Sequence, residues 1–260
     1  MAWGRWRQVM ASRPPRAPRP LLTAGTRRVV IVVCVVCVAV VAALGIRYAG
    51  HTRAGPFDTS VDHWIRGRLG RTSPVFTALT WLGDPVPVTL ITALFALGCA
   101  RARWWRGVAL AVFTVPAASV VTEVILKPII SRGIDGLHSL PSGHTTAAFS
   151  MATVAAVLLA GGKGPPEQAR GRLSRRTARL LTLAAYVLAA AVAVAMVAQG
   201  FHYFTDTIAG AGVGVGTVLL GALLIDALAG RLARRGPAEA TMAACPAASP
   251  PSSSTPSTRN

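Results

Sequence analysis

The sequence predicts an all-α membrane protein, a bundle of six transmembrane helices, on three observations. Hydrophobic residues fill 52% of the 260 positions and charged residues only 14%. The apolar residues gather in uninterrupted runs of near-spanning length. The 27 basic residues are unevenly divided between the segments joining those runs. Strands are disfavoured because the runs are too long, and backbone facing lipid must satisfy its hydrogen bonds within a helix or a closed barrel.

The first run, 29–46, reads VVIVVCVVCVAVVAALGI. Residues 1–28 before it are too long and arginine-rich for a signal-peptide leader, and no small-x-small cleavage site follows, so it is expected to stay as an uncleaved anchor. The outer loop, 47–85, carries Val61, Trp64, Ile65 and Leu69 on one helical face, with Asp62, Arg66 and Arg68 elsewhere. That pattern predicts a short interfacial helix. The apolar stretch 74–82 near the loop's end would cover only about 14 Å as helix, too little for a hydrocarbon core about 30 Å thick. The second span, 86–100, is the shortest. Spans 107–126, 143–160, 178–198 and 207–228 complete the bundle.

Gly210, Gly212, Gly214, Gly216 and Gly221 in the sixth span permit close helix contacts, either within the chain or in a homodimer. The segment 229–260 ends PAASPPSSSTPSTRN and is expected to be a disordered tail. Cys34, Cys37 and Cys99 fall inside spans and Cys245 in the tail, which favours packing over a disulfide framework.

A net charge of +18 raises the question of a nucleic-acid partner. The distribution answers it. Basic residues concentrate before the first span, in RARWWR at 101–106, between 163 and 179, and after the last span; these segments hold 20 of the 27. With six spans they share one side, the asymmetry of cytoplasmic loops. The predicted partner is therefore the bilayer and not a nucleic acid, in a multi-pass cell-membrane protein with both termini cytoplasmic.

Polar residues that a span would ordinarily exclude occur in three places: Glu123 and Lys127 at the end of span three, the loop from Arg132 to His144, and GFHYFTD at 200–206. The six-span order brings all three to the sparsely basic, exterior face. Glu123 lies one helical turn before Lys127 and is expected to aim it through an ion pair. In PSGH, Pro141, Ser142 and Gly143 suit a helix start, whose first N–H groups and dipole also form an anion site. His144 exceeds what a plain helix start requires. His202 and Asp206 are four apart, so the carboxylate can hold one ring nitrogen or cap the last helix.

These residues resemble the integral-membrane type 2 phosphatidic acid phosphatases, relatives of vanadium haloperoxidases and bacterial lipid pyrophosphate phosphatases. The likeness runs over about residues 58–228, and PSGH followed by H-x-x-x-D is its strongest element. It implies that His202 attacks phosphorus, that Asp206 orients His202, and that His144 is the general acid. It further implies that Lys127, Ser142 and Gly143 hold phosphate oxygens, joined by Arg132 with His138 in support. Two arginines of the family pattern are absent, with Ile134 and Met196 in their places.

The expected function is hydrolysis of a lipid phosphate or isoprenoid diphosphate through a phosphohistidine. Undecaprenyl diphosphate, phosphatidylglycerol phosphate and phosphatidic acid are the candidate substrates. No cofactor is expected, because the sequence has neither a carboxylate-rich cluster suited to magnesium nor a closed zinc set. The competing reading is a lipid-phosphate binding or transport protein that keeps the fold without turnover.

Overall fold

The computed structural model describes residues 19–70, 73–161 and 173–243. The chain is helical almost throughout, in the order α1 (Ala24–Tyr48), α2 (Pro56–Leu69), α3 (Pro74–Trp81), α4 (Pro85–Arg101), α5 (Trp105–Ile130), α6 (Gly143–Gly161), α7 (Arg175–Gln199) and α8 (Phe204–Ala243). Five of these, α1, α5, α6, α7 and α8, are long and apolar enough to cross a membrane. The bent pair α3 and α4 makes a sixth span if counted as one element, with an angle of 55° at the break. The second span is thus not an isolated short helix. Proline begins each half, and Gly83 and Asp84 form the joint between them.

The outer surfaces of the spanning helices carry large apolar side chains in full exposure, including Val35, Leu94, Phe113, Val187 and Leu224. Such a surface is costly in water and matched to lipid tails. Inside, α6 packs against α5 and α7, and α4 packs against α5. The largest buried cluster joins Leu21, Trp104, Leu110, Val154 and Val218. At this end Asp226 accepts hydrogen bonds from the Leu21 and Leu22 N–H groups at 3.0 and 2.9 Å, and pairs with Arg106 at 3.0 Å. The approach to α1 is thereby tied to α5 and α8.

The glycines of the last span are used within the chain. A Cβ on Gly210 would lie 2.5 Å from the Ser142 carbonyl oxygen, and one on Gly214 would lie 2.5 Å from that of Thr146. Both contacts set α8 directly against α6. Gly212 and Gly216 lie against Val41 and Cys37 of α1. Cys34, Cys37 and Cys99 are free thiols, while Cys245 lies outside the described residues.

Two further expectations meet the structure differently, and the loop after α5 has a form that no expectation covered. An interfacial helix forms as α2, but only Ile65 of its predicted apolar face is buried; Trp64 and Leu69 are exposed. The buried residues on α2 also include Asp58 and Asp62, because the side that sets Ile65 against Val197 and Ala198 meets polar partners as well. The loop after α5 closes as a hairpin, Gly133–Ile134 paired with Leu137–His138. Asp135 and Gly136 at its tip both have positive φ, the conformation of a two-residue hairpin turn. Finally, the chain from Ala227 forms a separate unit. It is helical through Ala243, where a disordered tail from 229 was expected, since alanine, leucine and arginine favour helix. Residues 244–260 lie outside the described residues, as do 1–18 of the basic N-terminal segment.

The close approach of α8 to α6 gives the first prediction. Gly214→Val should lower stability by about 1–3 kcal/mol through overpacking, read as a reduced midpoint of thermal unfolding in detergent. The same change at Gly230, which has no neighbour within 4 Å of an added Cβ, should leave the midpoint nearly unchanged.

Candidate active site

Four helix ends and the hairpin surround one cleft of about 690 Å³. Lys127 and Glu123 enter from the last turns of α5, His144 from the first turn of α6, and His202 from the turn between α7 and α8. His138 hangs over the cleft from the second hairpin strand. Asp84 reaches it from the joint between α3 and α4. The predicted residues Glu123, Lys127, His138, Gly143, His144 and His202 are thus brought together, although Lys127 and His202 are 75 positions apart. Ile134, Leu137, Met196 and Phe201 supply an apolar wall. Two of them, Ile134 and Met196, stand where the resemblance would have put arginines.

The local contacts explain how each group is held. Lys127 Nζ pairs with Glu123 Oε2 at 2.7 Å, one turn apart, as its spacing predicted. Glu123 also presses on Gly143, so that a side chain at that position would collide with its carboxylate. The Ser142 hydroxyl is spent on the helix start: it accepts from Thr145 Oγ1 at 3.1 Å and from the Thr145 N–H at 3.5 Å. Ser142 is fully buried, so it shapes the mouth of α6 from behind and does not line the cleft.

Arg132 also sits elsewhere than the phosphate site proposed for it. Its side chain is fully buried, with Nη2 2.6 Å from Asp58 Oδ2 and Nη1 2.6 Å from Asp206 Oδ1. Nη1 lies 2.7 Å from Thr205 Oγ1 as well. The guanidinium is stacked over Tyr48 and Tyr203, 4.0 and 4.4 Å from the ring centroids. A cation so enclosed has no open face for a substrate; it fixes Asp206.

Asp206 in turn faces His202, with Oδ2 3.5 Å from Nδ1. The contact is at ion-pair distance without hydrogen-bond geometry, which leaves His202 Nδ1 buried and without a hydrogen-bond partner. Asp206 also accepts from the Tyr203 N–H at 3.0 Å, so the helix-cap alternative read from the sequence is met, while the carboxylate faces the His202 ring without a hydrogen bond to it. The next two N–H groups of α8 are taken by α2: Phe204 donates to Asp62 at 3.1 Å and Thr205 to Asp58 at 2.9 Å. Three aspartates therefore fill the positive end of one helix. Burial pushes the Asp62 carboxyl up to about 6, against the pull of Arg66 and the Phe204 N–H.

Sequence reasoning missed Asp58, Asp62 and Asp84. Asp58 and Asp62 are one helical turn apart, a spacing that could have marked a shared acidic face. Asp84, between an apolar run and Pro85, carried only the signal of a helix cap. Among the described residues no group of three or more His, Cys, Asp or Glu side chains is arranged to hold a metal ion.

The helices and cleft define a multi-pass membrane protein whose two histidines converge where helix ends meet. Residues 67–228 match the PAP2 superfamily, and the chain belongs to it. The fold is similar to the crystal structure of the first transmembrane PAP2-type phosphatidylglycerolphosphate phosphatase from Bacillus subtilis, with a TM-score of 0.54 and 19% identity. That likeness covers 74% of this chain and 93% of the other. No curated protein matches the chain.

The different settings of the two cations predict different losses. Arg132→Met strands Asp58 and Asp206 as buried charges and should cost about 3–5 kcal/mol of stability, seen as a large drop in unfolding midpoint. Lys127→Ala should leave the midpoint within a few degrees, because its partner Glu123 is exposed and remains solvated.

Proposed function

We propose that the cleft hydrolyses a lipid phosphate through a phosphohistidine, with His202 as nucleophile and His144 as general acid. The observation that carries this reading is that both histidines line one cleft, with His202 backed at 3.5 Å by a carboxylate that is itself immobilised by a buried arginine. Membership of the PAP2 superfamily supports the same chemistry.

Lys127 and the first-turn N–H groups of α6 draw the phosphate oxygens to the helix mouth, where fixed dipoles match the charge without rearranging during reaction. With Nδ1 turned to Asp206, His202 uses Nε2 to attack phosphorus in line. The P–O bond to the lipid breaks as the P–N bond forms, and His144 gives the departing oxygen its proton. Water then attacks the phosphohistidine, returning a proton to His144 and freeing His202. The buried group behind the nucleophile holds two carboxylates, Asp58 and Asp206, against one guanidinium. Its surplus negative charge stabilises the positive ring of the intermediate.

The apolar wall bears on the substrate. Lys127 is the one permanently cationic side chain among the described residues lining the cleft, and Glu123 is paired with it. That favours a monophosphate over an isoprenoid diphosphate, and it also keeps alive a binding or transport protein without turnover. Purified protein in detergent should release phosphate from phosphatidic acid or phosphatidylglycerol phosphate faster than from undecaprenyl diphosphate. Activity should survive EDTA and vanish in His202→Ala. Lipid binding with no release from any of the three would favour the non-catalytic reading, and near-native turnover by His202→Ala would overturn the mechanism.

The site is read as opening to the exterior, on the basic-residue count of the opposite loops. Ser139 beside the site is fully buried and unsuited to labelling, whereas Leu137 at the hairpin is 72% exposed. In a chain lacking its four native cysteines, Leu137→Cys should react with a membrane-impermeant thiol reagent on intact cells, and Leu173→Cys, at the other end of the bundle, should not. The reverse pattern would invert the topology.

A further inference from the structure

Asp84 occupies the residue before α4, a position where an aspartate ordinarily accepts from the first-turn N–H groups of its own helix. Here its side chain makes no such cap bond. Its Oδ1 lies instead 3.0 Å from Nε2 of His144. The preceding residue is pressed on the same ring: a Cβ on Gly83 would sit 2.8 Å from both Cβ and Cδ2 of His144. The joint between α3 and α4 thus delivers a carboxylate to the imidazole and, through the missing side chain of Gly83, the room to do so. Asp84 and His144 both line the cleft, their side chains 45% and 32% exposed, so the pair stands in the cleft wall and not in the core.

We propose that Asp84 is the positioning residue for His144. It holds the Nε2–H, fixes the ring's tautomer and orientation, and leaves Nδ1 for the oxygen of the leaving group. The inference rests on the phosphatase reading above. In the first step the proton on Nδ1 passes to the ester oxygen as the P–O bond breaks and His202 takes the phosphoryl group. Asp84 stays ionised throughout, and the ring ends neutral with its Nε2–H still on the carboxylate. In the second step water gives its proton back to Nδ1 as its oxygen attacks phosphorus. Each histidine then has its own aspartate, Asp206 for the nucleophile and Asp84 for the acid, and the two lie 122 positions apart in the chain. A residue outside the recognised PSGH and H-x-x-x-D elements thereby enters the machinery.

The test compares two phosphate monoesters, decyl phosphate, whose alcohol needs a proton to leave, and 4-nitrophenyl phosphate, whose phenolate does not. Asp84→Ala should lower kcat for decyl phosphate by about 10–100-fold, the usual loss when the partner of an oriented histidine is removed. The loss for 4-nitrophenyl phosphate should stay under roughly threefold, because no proton is required there. Asp84→Asn, which keeps an acceptor of the same size without the charge, should fall between and carries the same comparison if Asp84→Ala does not fold. Equal losses on the two esters, or none on either with an unchanged unfolding midpoint, would overturn the role of Asp84. Turnover of either ester by His202→Ala, or of neither by the unaltered chain, would instead bring down the phosphatase reading and this inference with it.

Discussion

The geometry of the site depends on one buried ion triad, Asp58–Arg132–Asp206. A guanidinium with no exposed surface has lost its hydration, a cost of several kcal/mol unless well-placed partners offset it. Two carboxylates at 2.6 Å and two tyrosine faces supply those partners. They come from separate parts of the chain: Asp58 from the interfacial helix, Tyr48 from the end of the first span, Tyr203 and Asp206 from the start of the last. Arg132 lies just past the end of α5, so the triad fastens the Lys127 side of the cleft to the His202 side. Asp206, which faces His202, is held by a contact that never touches the cleft.

The triad also resolves the electrostatics of the last helix. Its first N–H groups and Arg132 concentrate positive charge near residues 203–206, and Asp58, Asp62 and Asp206 answer it. The interfacial helix is therefore more than a seal over the bundle. It contributes two of the three acids, and with them the anchoring of the turn that carries His202. Arg66 strengthens the same docking, donating to the Val197 carbonyl oxygen at 3.0 Å near the end of α7.

Much of this was legible in the sequence where the signal was local. A long apolar run has few structural meanings, so four spans were placed to within about five residues, and the start of the last to within three, although its helix runs on to Ala243. Lys127, His144 and His202 stood out because titratable groups beside such runs are expensive and need a reason. The rest depended on contacts across the chain. Arg132 looked like a phosphate ligand because its partners, Asp58 and Asp206, each lie 74 positions away. Asp84 drew no notice because His144, the residue it meets, lies 60 positions away. Asp62 was placed only off the apolar face of α2, since nothing local reveals the N–H groups it meets at the start of α8. The broken second span was hidden by the same limit: hydropathy registers apolar length, and a 55° bend at Gly83 and Asp84 leaves that length intact.

The segment Val121–Leu126 of α5 is wound as a π-helix, with Glu123 inside it and Lys127 immediately after. A wider turn of this kind stores about one residue more than the same rise of α-helix, and such turns often accompany functional sites. The wide turn absorbs that residue, so everything beyond it keeps nearly the azimuth of a regular helix one residue shorter. Deleting one residue within 121–126 would let the span relax to a regular α-helix of nearly the same height, with its apolar surface toward lipid little altered. Lys127 would keep nearly its azimuth and its place at the cleft, whereas winding all six residues as α-helix without a deletion would turn it by about 100° around the axis. A one-residue gap at this point in a related sequence is therefore compatible with a cation at the same place in the cleft.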